Sequence, residues 1–219
     1  MKISRGRALL VTGILLVVID QVIKILVKSN MTIGENFNVL GDWFKILFIE
    51  NEGMAFGMKF GGMFGKFVLT AFRLVLFGFL CWWITSLNRK GRRIAGKDNE
   101  SVTYEHVPTG VLAGLTLITA GAFGNIIDCL FYGQLFSAST AYEVAQFGGS
   151  YAPVMFGKVV DMFYFPLIDT TWPSWLPFIG GHPFRFFEPV FNFADSCVTV
   201  GAFYLILFQY KFFASDQEK

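Results

Sequence analysis

The sequence predicts an all-α membrane protein with four transmembrane helices, a small extracytoplasmic β-rich segment and a flap. Three observations predict it. The chain of 219 residues is 54% hydrophobic and only 16% charged, where a soluble domain carries about 25% charged residues. Its mean hydropathy is +0.53. The apolar residues gather in windows of about 20, the length a bilayer-spanning helix needs. The basic residues gather in alternate segments between those windows. Residues 1–219 read as one membrane domain.

The first window covers 8–27 and follows Lys2, Arg5 and Arg7. Its apolar run is longer than a signal-peptide core, and no small-residue cleavage site ends it, so it reads as a retained helix. In segment 28–66, residues 43–49 predict a strand and Glu50–Gly53 a turn. Gly61, Gly62 and Gly65 then break the chain. The second helix is expected at 67–86, followed by Arg89, Lys90, Arg92, Arg93 and Lys97. The third is expected at 109–130. Its Gly110, Gly114, Gly121 and Gly124, with Ala113, Ala120 and Ala122, suit close helix packing.

Segment 131–189 contains Gly148 and Gly149, a strand-like run at 158–165, and then Trp172, Pro173, Trp175, Pro177 and Phe178. Those aromatics fit an anchor at the membrane–water interface, which Trp and Tyr prefer. The sharper alternative is a flap over a lipid-facing site. The fourth helix is expected at 190–210, with Lys211 at its boundary. Positive charge stays on the cytoplasmic side. Both termini are therefore expected inside, with segments 28–66 and 131–189 outside.

Several chemistries find no motif. Cys81, Cys129 and Cys197 are odd in number and scattered, giving neither a disulfide framework nor zinc-ligand spacing. His106 and His182 lie far apart, and no HExxH or GxSxG is present. No metal, cofactor or nucleic-acid partner is expected. A nucleophilic Cys129 lacks a histidine placed to activate it.

The acidic residues carry more information. An ionisable group in a span costs on the order of 3 kcal/mol on insertion scales and marks function by default. Asp20 falls near the outer end of the first helix and Asp128 at that of the third. Asp195 falls just over a turn inside the outer end of the fourth. Asp161 lies in the apolar run Val159-Val160-Asp161-Met162-Phe163 of the outer segment. Lys24 and Arg73 share this depth, and Asp20 and Lys24 are spaced to pair on one helix face. Asn125 with Asp128, and Asn192 with Asp195, are each spaced to share a helix face.

One reading is a buried hydrogen-bond network tying helices together. The other is catalytic. Neighbouring carboxylates in a poorly solvated place cannot both ionise readily. They then share a proton, one member serving as base and the other as acid. That is the machinery of aspartic proteolysis. Position alone does not choose the pair among the four acids.

The segments Asp20-Gln21-x-x-Lys24, Asn51-x-Gly53-x-Ala55-Phe56, Gly121-Ala122-x-Gly124-Asn125-x-x-Asp128, Val159-Val160-Asp161 and Phe191-Asn192-x-Ala194-Asp195 occur in this order across four apolar windows. In that combination the chain resembles the lipoprotein signal peptidase family, signal peptidase II, over nearly its whole length. The resemblance implies an aspartic endopeptidase of the bacterial inner membrane, with its active site at the outer face. Its substrates would be prolipoproteins, cut just before the diacylglyceryl-modified cysteine. The resemblance makes Asp161 and Asp195 catalytic. It places Asn51, Gly53, Asn125 and Asn192 along the substrate groove and gives Asp20, Lys24 and Asp128 supporting roles. It also implies sensitivity to the cyclic peptide globomycin. Membrane lipids are expected as further partners, and the chain is expected to act as a monomer without a cofactor.

Two departures stand out. Cys129 occupies the place of a family arginine, and segment 131–189 is longer than is common. Arg73 either substitutes for that arginine or snorkels to the interface. The rival functions are a proton-coupled transporter and a non-catalytic scaffold. A transporter calls for polar residues through the whole membrane depth and an internal repeat, and neither is evident.

Overall fold

A computed structural model describes residues 4–52, 62–95, 102–186 and 188–214. Lys2, Gly53, Ala55, Phe56, Gly61 and Lys97 lie outside the described residues. The elements are α1 (Arg5–Asn30), β1 (Asn36–Leu40), β2 (Phe44–Asn51), α2 (Gly62–Lys90), β3 (Arg92–Ala95), β4 (Val102–Glu105) and α3 (Thr109–Ile127). A π-helical turn (Asp128–Tyr132) leads to α4 (Gly133–Leu135), β5 (Val159–Tyr164), β6 (Ile168–Thr171), β7 (Pro183–Phe186) and β8 (Val190–Phe191). The chain closes with α5 (Phe193–Phe208) and α6 (Tyr210–Ala214). It divides into two compact units. One takes Met1–Val22, Phe64–Ile127 and Phe193–Lys219, and the other Ile23–Met63 and Asp128–Asn192.

The first unit is helical apart from the hairpin β3–β4. Its tightest seam joins α3 to α5, and glycine makes that seam possible. A Cβ on Gly121 would lie 2.3 Å from the carbonyl oxygen of Ala194, so only glycine lets the two backbones approach this closely. Val107, Val111, Leu112 and Leu115 pack with Leu87 and Leu205 at the far end of the bundle.

Among the described residues, three helical stretches are long and apolar enough to cross a membrane: Arg5–Asn30, Gly62–Lys90 and Thr109–Leu135. The fourth apolar helix, α5, has 16 residues. At ~1.5 Å per residue that is about 24 Å, short of the ~30 Å hydrocarbon core. The expected span at 190–210 is thus shorter than its apolar window. Val190 and Phe191 pair as strand with Tyr164 and Phe163, which delays the helix to Phe193. Its far end stops before Gln209.

The second unit is built on an antiparallel sheet in the order β1-β2-β5-β8. Strands expected at 43–49 and 158–165 are present as β2 and β5. The turn expected at Glu50–Gly53 is corrected over its described part. Glu50 and Asn51 pair with Val160 and Val159, because backbone ladder bonds outweigh local polar composition. The glycine break before the second helix is corrected at Gly65. Gly62 opens α2 with a positive φ of 56°, and Gly65 lies inside the helix. Phe44 stacks on Phe165 at 4.6 Å between centroids, and Phe165 stacks on Phe191 at 5.7 Å, giving the sheet an aromatic face. A separate hairpin, β6–β7, is closed by Trp172 against Phe184 and leaves Trp175 and Phe178 exposed in its connecting loop.

Candidate active site

In the sheet unit the site is organised around Asp161 on the inner strand β5. β2 lies on one side of it and β8 on the other. Register sets Ile49 opposite Asp161 and Asn51 opposite Val159. Asn51 is therefore the diagonal neighbour of Asp161 on the same face, within reach of a side chain. Its Nδ2 donates to Asp161 Oδ2 at 3.2 Å. Asn192, immediately after β8, donates from Nδ2 to Asp161 Oδ1 at 2.7 Å. Both carboxylate oxygens thus accept an amide N–H. Asp161 and Asn192 are buried.

Asp128 supports the same strand. Lys24 Nζ lies 2.8 Å from its Oδ2, and both side chains are 0% exposed. The same oxygen accepts the backbone N–H of Val160 at 3.3 Å, one residue before Asp161. A buried ion pair is thereby hydrogen-bonded into the sheet, which is the condition under which burial of two charges is tolerated.

One helical turn along α1 lies a second buried cation, Lys28. It pairs with Glu50 and donates to Ser139 Oγ at 2.9 Å. Ser139 donates in turn to Glu50 Oε1 at 2.8 Å, and Lys158 Nζ lies 3.2 Å from Glu50 Oε2. Lys28 also sits over the rings of Phe136 and Tyr151, at 5.4 and 5.1 Å from their centroids. Burial raises the Glu50 pKa, but the hydrogen bond and charge of Lys28, with Ser139 and Lys158, outweigh it and hold the carboxyl below its ordinary value. Burial pushes the Tyr151 phenol well above its usual range, and the charges of Glu50 and Asp128 add to this.

Sequence reasoning missed this cluster. Lys28, Glu50, Ser139 and Lys158 lie in three separate segments and match no motif. The available signal was a lysine four residues after Lys24 on the same face of an apolar helix. The cluster ties the long segment after α4 to β2, next to Asn51.

In the helical unit, Asp195 is in the first turn of α5. It is closer to the helix start than expected, because the helix begins at Phe193. Asn125 Nδ2 donates to Asp195 Oδ1 at 2.7 Å. Asp20 Oδ1 accepts the backbone N–H of Ala194 at 2.9 Å, so a carboxylate from α1 satisfies one of the unpaired N–H groups that begin every helix. Gln21 donates to Asp20 Oδ2 and to the Gly124 carbonyl, both at 3.1 Å. A Cβ on Gly124 would come within 2.5 Å of Asp20 Oδ2, which explains glycine there.

The expected sharing of a helix face by Asn192 and Asp195 is corrected. Asn192 precedes the helix and serves Asp161, while Asp195 receives its amide from Asn125. Cys129 is buried in the π-helical turn, and its carbonyl accepts the Gly157 N–H at 2.9 Å. Arg73 is half-buried on α2. Gly53 lies outside the described residues.

Comparisons with known proteins show the family. A family model described as signal peptidase (SPase) II matches residues 12–211. The chain belongs to this family. It is 45% identical over 209 residues to a lipoprotein signal peptidase of Porphyromonas gingivalis, covering 94% of this chain and 84% of the relative. A lipoprotein signal peptidase of Amoebophilus asiaticus is 34% identical over 199 residues, covering 89% and 74%. Among solved structures, a bacterial membrane enzyme determined by the in meso method at 2.3 Å resolution aligns with a TM-score of 0.55 at 22% identity. That alignment covers 97% of this chain and 93% of the other, and it shows a shared fold. Family membership makes this chain a bacterial membrane protein and a signal peptidase.

Proposed function

We propose that the chain is an aspartic endopeptidase of the bacterial inner membrane. It removes signal peptides from prolipoproteins by cleaving before the diacylglyceryl-modified cysteine, with Asp161 and Asp195 as the catalytic pair. One observation carries the reading. Of the four membrane-depth acids, the two assigned to catalysis by the resemblance are those clasped by motif asparagines, Asn51 and Asn192 on Asp161 and Asn125 on Asp195. Asp128 is engaged with Lys24 and the sheet backbone, and Asp20 with the start of α5. Asn192 bonds one carboxylate and precedes the other by three residues, which supports their acting together.

Amide donors on both oxygens favour the ionised form of Asp161. It therefore serves as the base and takes a proton from water as the water oxygen attacks the scissile carbonyl carbon. Asp195 serves as the acid of the pair, giving a hydrogen bond and then a proton to the carbonyl oxygen. Collapse of the tetrahedral intermediate breaks the C–N bond as the proton held by Asp161 passes to the leaving amine, and one hydroxyl proton of the intermediate returns to Asp195, leaving the new carboxylic acid and the starting pair.

The active site faces outward, both termini face the cytoplasm, and the enzyme works as a monomer that globomycin blocks. All of residues 1–219 form one peptidase domain. Support for this comes from the chain, which passes between the two compact units at Val22–Ile23, Met63–Phe64, Ile127–Asp128 and Asn192–Phe193.

The test is reconstitution in lipid with a diacylglyceryl-modified prolipoprotein. Asp161→Asn and Asp195→Asn should each lower the cleavage rate by about 10²–10⁴-fold, the usual contribution of a positioned acid or base. Processing by both variants at the wild-type rate would end the assignment.

A further inference from the structure

A groove of 610 Å³ opens between α1, α2 and α3 in the helical unit, and no acidic residue lines it. Its walls are apolar along most of their length, with Ile14, Val17 and Phe123 among them. Along α1 it runs from Gly6 to Val18. Twelve residues at 1.5 Å each are about 18 Å, close to half of the ~30 Å hydrocarbon core. The groove is thus one leaflet deep.

Its polar groups collect at one end, where α1 begins and α2 finishes. Asn88 and Arg89 line it there. Arg5 donates to the Asn88 carbonyl oxygen at 3.1 Å, so the Asn88 amide is left to offer N–H groups. The mouth therefore presents a guanidinium and an amide donor above an apolar slot. Lys90 follows directly and adds positive charge.

We infer that this groove holds one anionic phospholipid of the adjacent leaflet, with an acyl chain along α1 and the headgroup phosphate on Arg89 and Asn88. Basic pockets between transmembrane helices recognise lipid headgroups in this way. The charge at the mouth decides the occupant. A signal peptide threaded along the same slot would bring its basic leading region against Arg89 and Lys90, whereas an anionic headgroup meets complementary charge. The site is distinct from the carboxylates of the proposed reaction and does not depend on their roles.

Native mass spectrometry of the full-length protein, released from bilayers of mixed phosphatidylglycerol and phosphatidylcholine, tests this. The wild type should retain phosphatidylglycerol preferentially. One cation near a lipid headgroup contributes about 1 kcal/mol, so Arg89→Gln should reduce that preference about fivefold. Gly13→Leu fills the slot with a better helix former and should abolish retention of either lipid. Equal preference in the wild type and Arg89→Gln, or full retention in Gly13→Leu, overturns the proposal. So does displacement of the bound lipid by a synthetic signal peptide with a basic N-terminus.

Discussion

Asp161 stands on a strand and Asp195 in the first turn of a helix, and different forces orient them. The strand carboxylate is fixed from both sides by amides, Asn51 from β2 and Asn192 from the end of β8. Its strand is anchored by a wholly buried ion pair, since Asp128 holds both Lys24 and the Val160 N–H. The helix carboxylate relies on close packing. Glycines at 121 and 124 let α3 approach α5, which brings Asn125 to Asp195. Asp20 then fixes the helix start through the Ala194 N–H. A sheet supplies position through register, and a helix pair supplies it through proximity. Damage to each should therefore differ in kind.

The largest expected effect is on the sheet side. Asp128→Asn leaves Lys24 buried without its counter-charge, and breaking such a pair costs about 3–5 kcal/mol. A large drop in thermal midpoint and in membrane abundance should follow. Lys24→Met combined with Asp128→Leu removes both charges and should recover much of the loss. If the double variant is no better than Asp128→Asn, the ion pair is not the source of the instability.

Asn192→Ala should act on rate more than on folding. A hydrogen bond to a charged group is worth about 1.5–3 kcal/mol, so kcat should fall roughly ten- to hundredfold. Removing an amide donor also makes the Asp161 carboxylate easier to protonate. The acidic limb of the pH–rate profile should then move to higher pH. An unmoved limb would argue that Asp161 is not the base.

The smallest effect concerns Glu50. Its folded pKa lies below the ordinary value of 4.5. The stability it contributes is therefore present above that value and lost as pH falls through the folded pKa. Unfolding measured against pH in detergent should show the wild type weakening below ~4.5, with a shallower dependence in Glu50→Gln. Parallel curves for the two proteins would remove Glu50 as the responsible group.

Much of this was legible beforehand, for identifiable reasons. The spanning helices follow from apolar length and the strands from runs such as Val159–Tyr164. Gly121 and Gly124 announced a close helix contact that α5 makes. Two things were not legible. The pairing of amides with carboxylates crosses the sequence, because Asn125 serves Asp195 and Asn192 serves Asp161. Spacing along one helix could not reveal that once Asn192 lay outside the helix. The Lys28–Glu50–Ser139–Lys158 cluster was hidden because residues remote in sequence interact only after the sheet has formed.

By itself, then, the sequence determined that this chain enters a bilayer, which of its acids sit in apolar surroundings, and to which family it belongs. Each of these rests on local properties, namely hydropathy, charge and motif order. Only the tertiary structure decided which donor serves which carboxylate, where the last helix begins, and which lysines are buried in pairs. Those depend on strand register and helix approach, which bring together groups more than a hundred residues apart, such as Asn51 and Asp161.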